Sequence, residues 1–107
     1  NNKHLKLKGM CLHQDAGCLG TAVPDRAYER RLLILKEFGT NAIRCSHNPP
    51  SPEFLNYCDS IGFLVIDEAF DKWKSGYYEE FFDSSWQQDI SDIRRKKKER
   101  LEPGRVG

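Results

Sequence analysis

The 107-residue sequence contains no apolar run approaching the ~20 residues a membrane-spanning helix needs. Its first residues also lack the apolar core of a signal peptide. No membrane partner is therefore expected. Charge of one sign is missing too: 17 lysines and arginines face 16 acids, a net charge of +1, so the bulk electrostatics name no partner. The one basic run, Arg94-Arg95-Lys96-Lys97-Lys98-Glu99-Arg100, has no interleaved aromatics and no second patch beside it. It reads as a solvated, fraying helix end, and nucleic acid is not expected as a partner. Cysteine is sparse, and Cys11, Cys18, Cys45 and Cys58 show neither Cys-x-x-Cys spacing nor the density of a disulfide scaffold. Unpaired thiols and the lack of a leader favour a cytoplasmic location. A chain of this length with 38% apolar residues builds one small domain at most.

What is present centres on Asn41-Ala42-Ile43-Arg44-Cys45-Ser46-His47-Asn48-Pro49-Pro50. Alternation in a short strand places Arg44 and Ser46 on one face and Ile43 and Cys45 on the other. An arginine on the inner side of a strand calls for carboxylates or substrate oxygens. Pro49 and Pro50 remove two backbone donors and push Asn48 out of the helical region, so the strand stops there with His47 at its tip. A second run, Phe63-Leu64-Val65-Ile66, ends in the acids Asp67-Glu68. Those two acids are neighbours on one strand, so they point to opposite faces; the inward one is expected to pair with Arg44 or to hold a catalytic group.

Between these runs Ser51 to Ile61 reads as a helix, with Ser51 as N-cap, Pro52 in the first turn and Gly62 as its stop. Leu5 to Leu12 alternates as an earlier strand with one wetter face. Pro24 to Phe38 forms a helix whose Tyr28, Leu32, Leu35 and Phe38 share a stripe. The expectation is an α/β fold with parallel strands at about 5–11, 41–46 and 63–67, in that order, joined by right-handed helical crossovers. Ser84 caps a last helix carrying Trp86, Ile90 and Ile93.

In parallel sheets, ligands sit at the C-terminal ends of the strands. His13 and Asp15 follow the first strand, Arg44, His47 and Asn48 the second, Asp67 and Glu68 the third. His13 either satisfies nearby backbone or meets a ligand; Asp15 either binds a hydroxyl or caps its loop. The loop after Glu68 is rich in aromatics, among them Phe70, Trp73, Tyr77 and Tyr78. Such rings either pack the loop down or offer a flat apolar face to a ligand, with Trp73 the leading candidate.

Gly9-Met10-Cys11-Leu12-His13-Gln14-Asp15, then Asn41-x-Ile43-Arg44-Cys45-Ser46-His47-x-Pro49, Phe54-Leu55, Asp59, Gly62 with four apolar residues after it, and Asp67-Glu68-Ala69 together resemble the barrel domain of glycoside hydrolase family 2, the β-galactosidase and β-glucuronidase family. The resemblance covers roughly residues 1–93 and departs at Asn48, where the family usually has tyrosine. It implies a partial (β/α)₈ TIM barrel, about the first three β/α units, from an enzyme that hydrolyses terminal β-glycosides, β-galactosides first, with retention. His13, Asp15, Arg44, His47, Asn48, Asp67, Glu68 and Trp73 then become substrate-binding or supporting residues. Both catalytic glutamates of the family come from later strands, so no catalytic residue is expected in this chain and the isolated chain should be inactive. Mg²⁺ is known in some relatives, but Lys72 stands near where its acidic ligand belongs, so no cofactor is expected. Beyond residue 93 the tail matches none of the family's continuation.

The partners implied are a carbohydrate, the remainder of the barrel and, for the chain on its own, a second copy covering the open sheet. Two other readings remain. One is a small α/β module that binds carbohydrate or another ligand without catalysis. The other is a Cys₂His₂ metal site built from the repeated Cys-x-His of Cys11/His13 and Cys45/His47.

Overall fold

A computed structural model describes residues 2–70 and 79–101. The chain divides into two compact units, Asn1–Glu68 and Ala69–Gly107. The first unit contains strand β1 (Gly9–His13), a 3-10 turn (Gly17–Leu19), helix α1 (Asp25–Glu37), strand β2 (Ala42–Ser46), helix α2 (Pro52–Ile61) and strand β3 (Leu64–Ile66). All pairing is parallel, in the order β1-β2-β3. This is the strand–helix alternation of a partial TIM barrel.

β2 is the central strand, and its flanking partners fix the two faces of the sheet. Cys11 stands opposite Arg44 and His13 opposite Ser46, while Arg44 stands opposite Ile66. One face therefore carries Cys11, His13, Arg44, Ser46, Leu64 and Ile66. The other carries Ile43 and Cys45, which pack with Leu32 of α1 and with Phe54, Cys58 and Phe63 into the buried core. Tyr28 of α1 meets Phe54 of α2 edge to face, ring centroids 5.3 Å apart.

Local chemistry sets the helix ends. The Ser51 hydroxyl accepts from the Phe54 amide at 3.1 Å, Pro52 opens α2, and Gly62 closes it at φ 85°, a left-handed conformation that suits glycine. Lys36 of α1 donates to the Gly62 carbonyl at 3.4 Å and lies 5.2 Å from the centre of the Phe63 ring, so one cation ties the two helices at the foot of β3.

Three expectations need correction. β1 begins at Gly9, not near Leu5, and Leu5 and Leu7 are exposed. The reason is that β2 begins only at Ala42. Before it, the Asn41 side chain replaces a strand, accepting from the Lys8 amide at 2.8 Å and donating to the Lys6 carbonyl at 2.9 Å. Phe38 is 84% exposed, because α1 stops at Glu37 and Phe38 falls off its buried stripe. In the second unit, helix α3 (Glu79–Leu101) starts before Ser84 and runs through the basic segment. Spaced pairs support it: Ser85 donates to Asp89 at 2.8 Å, and Asp92 accepts from Gln88 and Arg95, each at 3.2 Å.

Candidate functional site

The C-terminal end of the sheet is polar because each strand hands over to chemistry-bearing residues there. Arg44 extends from β2 on the face that carries no helix of the first unit, and its Nε donates to Glu68 Oε1 just past β3. Alternation from Ile66 brings Glu68 to that face. The second carboxylate oxygen, Oε2, lies 3.5 Å from His47 Nδ1, a contact that becomes an ion pair when the imidazole is protonated. The peptide between Ser46 and His47 is cis. The edge of the His13 ring approaches His47, with centroids 5.6 Å apart and planes at 68°.

The electrostatics follow from these contacts. The hydrogen bond from Arg44, then its charge and that of His47, hold the Glu68 carboxyl below the usual carboxylate range. The same bond, with a weaker one to the Cys11 sulfur, raises the Arg44 guanidinium. On the opposite face burial, assisted by the charge of Asp67, pushes the Cys45 thiol up to about 12. The charge of Glu68 adds a smaller push in the same direction.

The structure thus brings His13, Arg44, His47 and Glu68 together, and Glu68 is the inward acid. Asp67 is exposed just past the end of β3. Asn48 is exposed beyond His47, and Asp15 is exposed in the loop after β1. The Asp15 carbonyl accepts from Arg31 Nη1 at 2.6 Å, which anchors that loop to α1. Trp73 and Lys72 lie outside the described residues. The Cys₂His₂ reading fails on geometry: Cys45 is buried against the helices, whereas Cys11 and His13 sit on the opposite face. Among the described residues no three His, Cys, Asp or Glu side chains cluster closely enough to hold a metal ion.

Three supporting contacts were not anticipated from the sequence. Cys11 receives Arg44 Nη1 at 3.9 Å, Gln14 donates to the Pro49 carbonyl at 3.1 Å and so joins the loops after β1 and β2, and Arg31 holds Asp15. Alternation could have flagged Cys11, since it shares the Arg44 face once β1 and β2 are paired in register. Nothing local marks Gln14 or Arg31, whose partners lie 35 and 16 residues away. Chemically, the assembly offers two imidazoles and a neutralised arginine–glutamate pair, groups able to orient hydroxyls. No helix among the described residues is long and apolar enough to cross a membrane.

Comparison with known proteins bears on the family and the fold. Residues 1–99 match the family described as glycosyl hydrolases family 2, TIM barrel domain. Over 97 residues the chain is 51% identical to the β-galactosidase BoGH2A of Bacteroides ovatus, covering 87% of this chain and 11% of that protein. It is 42% identical to a putative β-glucuronidase of Formosa agariphila, covering 86% of this chain and 9% of that protein. The crystal structure of a β-glycosidase from Bacteroides vulgatus superposes with a TM-score of 0.82 at 45% identity, over 88% of this chain and 13% of that one. The chain therefore spans only about a tenth of the length of these relatives. With the parallel β/α units, the site at their C-terminal end and the match over residues 1–99 all in agreement, this chain belongs to glycosyl hydrolases family 2, as part of its TIM barrel domain.

Proposed function

We propose that this segment forms the first three β/α units of the barrel of a retaining β-glycosidase acting on terminal β-galactosides, and that it binds and orients the sugar while later strands supply the reacting carboxylates. The observation that carries the reading is the Arg44–Glu68–His47 linkage beside His13, at the end of the sheet where barrel enzymes bind substrate. Retention needs two carboxyl groups about 5–5.5 Å apart across the scissile bond. Glu68 is committed to Arg44 and Asp67 is its immediate neighbour in the chain, so this segment supplies a support for that pair and not the pair itself. Arg44 is already answered by Glu68 and is not left to meet the carboxylate of a uronic acid, which favours a neutral sugar. Asn48, Asp15 and Trp73 complete the proposed sugar-facing set. No metal enters this reading, because in the sequence Lys72 falls near the position where the family resemblance calls for an acidic magnesium ligand.

The test is the full-length enzyme that carries this segment, assayed with nitrophenyl β-galactoside and β-glucuronide, with the anomer first released followed by NMR. Faster cleavage of the galactoside, releasing the β-anomer first, is expected. Preference for the glucuronide, or release of the α-anomer, overturns the corresponding half of the proposal.

A further inference from the structure

We propose that Cys11 is a positioning residue of this site: its sulfur holds the second arm of the Arg44 guanidinium and thereby keeps Glu68 aligned on His47. The inference rests on the glycosidase reading above. Cys11 and Arg44 are register partners on β1 and β2 and lie on the same face of the sheet. Arg44 Nε donates to Glu68 on the β3 side, while Nη1 approaches Cys11 Sγ at 3.9 Å on the β1 side. The arginine of the central strand is thus held by both neighbouring strands. A planar fork held at one nitrogen swings about that bond; a second contact fixes its plane.

The plane of the guanidinium matters because Glu68 is shared. One carboxylate oxygen takes the Arg44 Nε hydrogen, and the other stands 3.5 Å from His47 Nδ1. Turning the guanidinium turns the carboxylate with it and moves the oxygen that His47 faces. A line of contacts therefore runs from Cys11 through Arg44 and Glu68 to His47, across all three strands. Cys11 need not touch the sugar to affect turnover. A thiol is a weak acceptor, so the effect should be that of one modest hydrogen bond.

The experiment replaces Cys11 by Ser, Ala and Val in the full-length enzyme that carries this segment. Cys11→Ala and Cys11→Val are expected to lower kcat/KM about fivefold, more through kcat than KM, and Cys11→Ser to stay within about twofold of wild type. Valine is close to cysteine in volume but accepts no hydrogen bond. A packing role would spare Cys11→Val and harm Cys11→Ser, so wild-type kcat and KM in Cys11→Val overturn the proposal. A crystal structure of Cys11→Val supplies a readout independent of activity: Arg44 should be rotated from its pairing with Glu68, and an unmoved guanidinium overturns the proposal. Should the wild-type enzyme cleave no β-glycoside, the functional reading falls, while the crystallographic comparison still decides the role of Cys11. Thermal midpoints of the three variants should match wild type, separating positioning from folding.

Discussion

Arg44 and Glu68 are 24 residues apart in sequence, yet they are joined by a charge-assisted hydrogen bond across the C-terminal end of the sheet. A whole βαβ connection separates them. The bond exists because parallel register puts β3 alongside β2 and alternation carries Glu68 to the Arg44 face. Its removal is the most direct probe of the site.

Glu68→Gln keeps the shape but removes the charge that faces both Arg44 and His47. In the full-length enzyme, kcat/KM for a β-galactoside should fall on the order of 10²-fold, the usual cost of misplacing orienting groups by about 1 Å. Steady-state kinetics check this; unchanged values remove Glu68 from the site. His47→Ala should cause a loss at least as large, and wild-type activity in that variant would exclude His47 as a substrate contact.

The same carboxylate predicts a pH effect. Glu68 is held below the usual range, so its folded form releases its proton more readily than its unfolded form. Its contribution to stability is present above the ordinary glutamate pKa of about 4.3 and is lost as pH falls through the lowered folded value. The gap in thermal midpoint between wild type and Glu68→Gln should therefore shrink from pH 6 to pH 3. A gap that widens on acidification contradicts the pairing.

Thiol chemistry reports on the two faces of the sheet. Cys11 and Cys18 are exposed, Cys45 and Cys58 are buried, and none is in a disulfide. An aromatic disulfide reagent at pH 8 should titrate the two exposed thiols quickly and the two buried ones only on unfolding. Because the Cys45 thiol is pushed up to about 12, the unfolded chain ionises first as pH rises past about 8.5. That group's contribution to stability is thus lost between those values. Rapid labelling of all four thiols in the folded protein would show that the helix-side core is not formed.

Core and cap substitutions test the architecture. Leu32 is fully buried between α1 and the sheet, and Leu32→Ala should cost about 2–5 kcal/mol. Ser51→Ala removes the bond to the Phe54 amide and should cost about 1 kcal/mol. Denaturant midpoints measure both; a Ser51 effect exceeding that of Leu32 would contradict the packing described.

The isolated chain should be inactive and should self-associate. Leu64 and Ile66 are 50% and 54% exposed on the face that bears no helix of the first unit, and among the described residues β1 and β3 each have an unpaired edge. Sedimentation equilibrium at low micromolar concentration should show a dimer or larger, weakened by Ile66→Lys. A cooperatively folded monomer removes the self-association. Turnover of a nitrophenyl β-galactoside by the purified chain, abolished by Glu68→Gln, would show that it is catalytic alone.

The sequence by itself determined what neighbouring residues decide. Ser51, Pro52 and Gly62 bounded α2 because capping, a fixed φ and a left-handed stop act within one turn. The Arg44-to-Pro49 motif identified the strand tip and the family resemblance. Only the tertiary structure decided which acid faces Arg44, since that depends on how β3 lies against β2. It also decided where β1 begins, because the Asn41 side chain takes the place of a strand for Lys6 and Lys8. The link from Gln14 to Pro49 was invisible for the same reason, and that from Cys11 to Arg44 needed the register of β1 against β2. Helix ends and strand faces follow from short-range sterics and hydrogen bonding, whereas partners across a parallel sheet are fixed by register and by burial of the core between the crossovers.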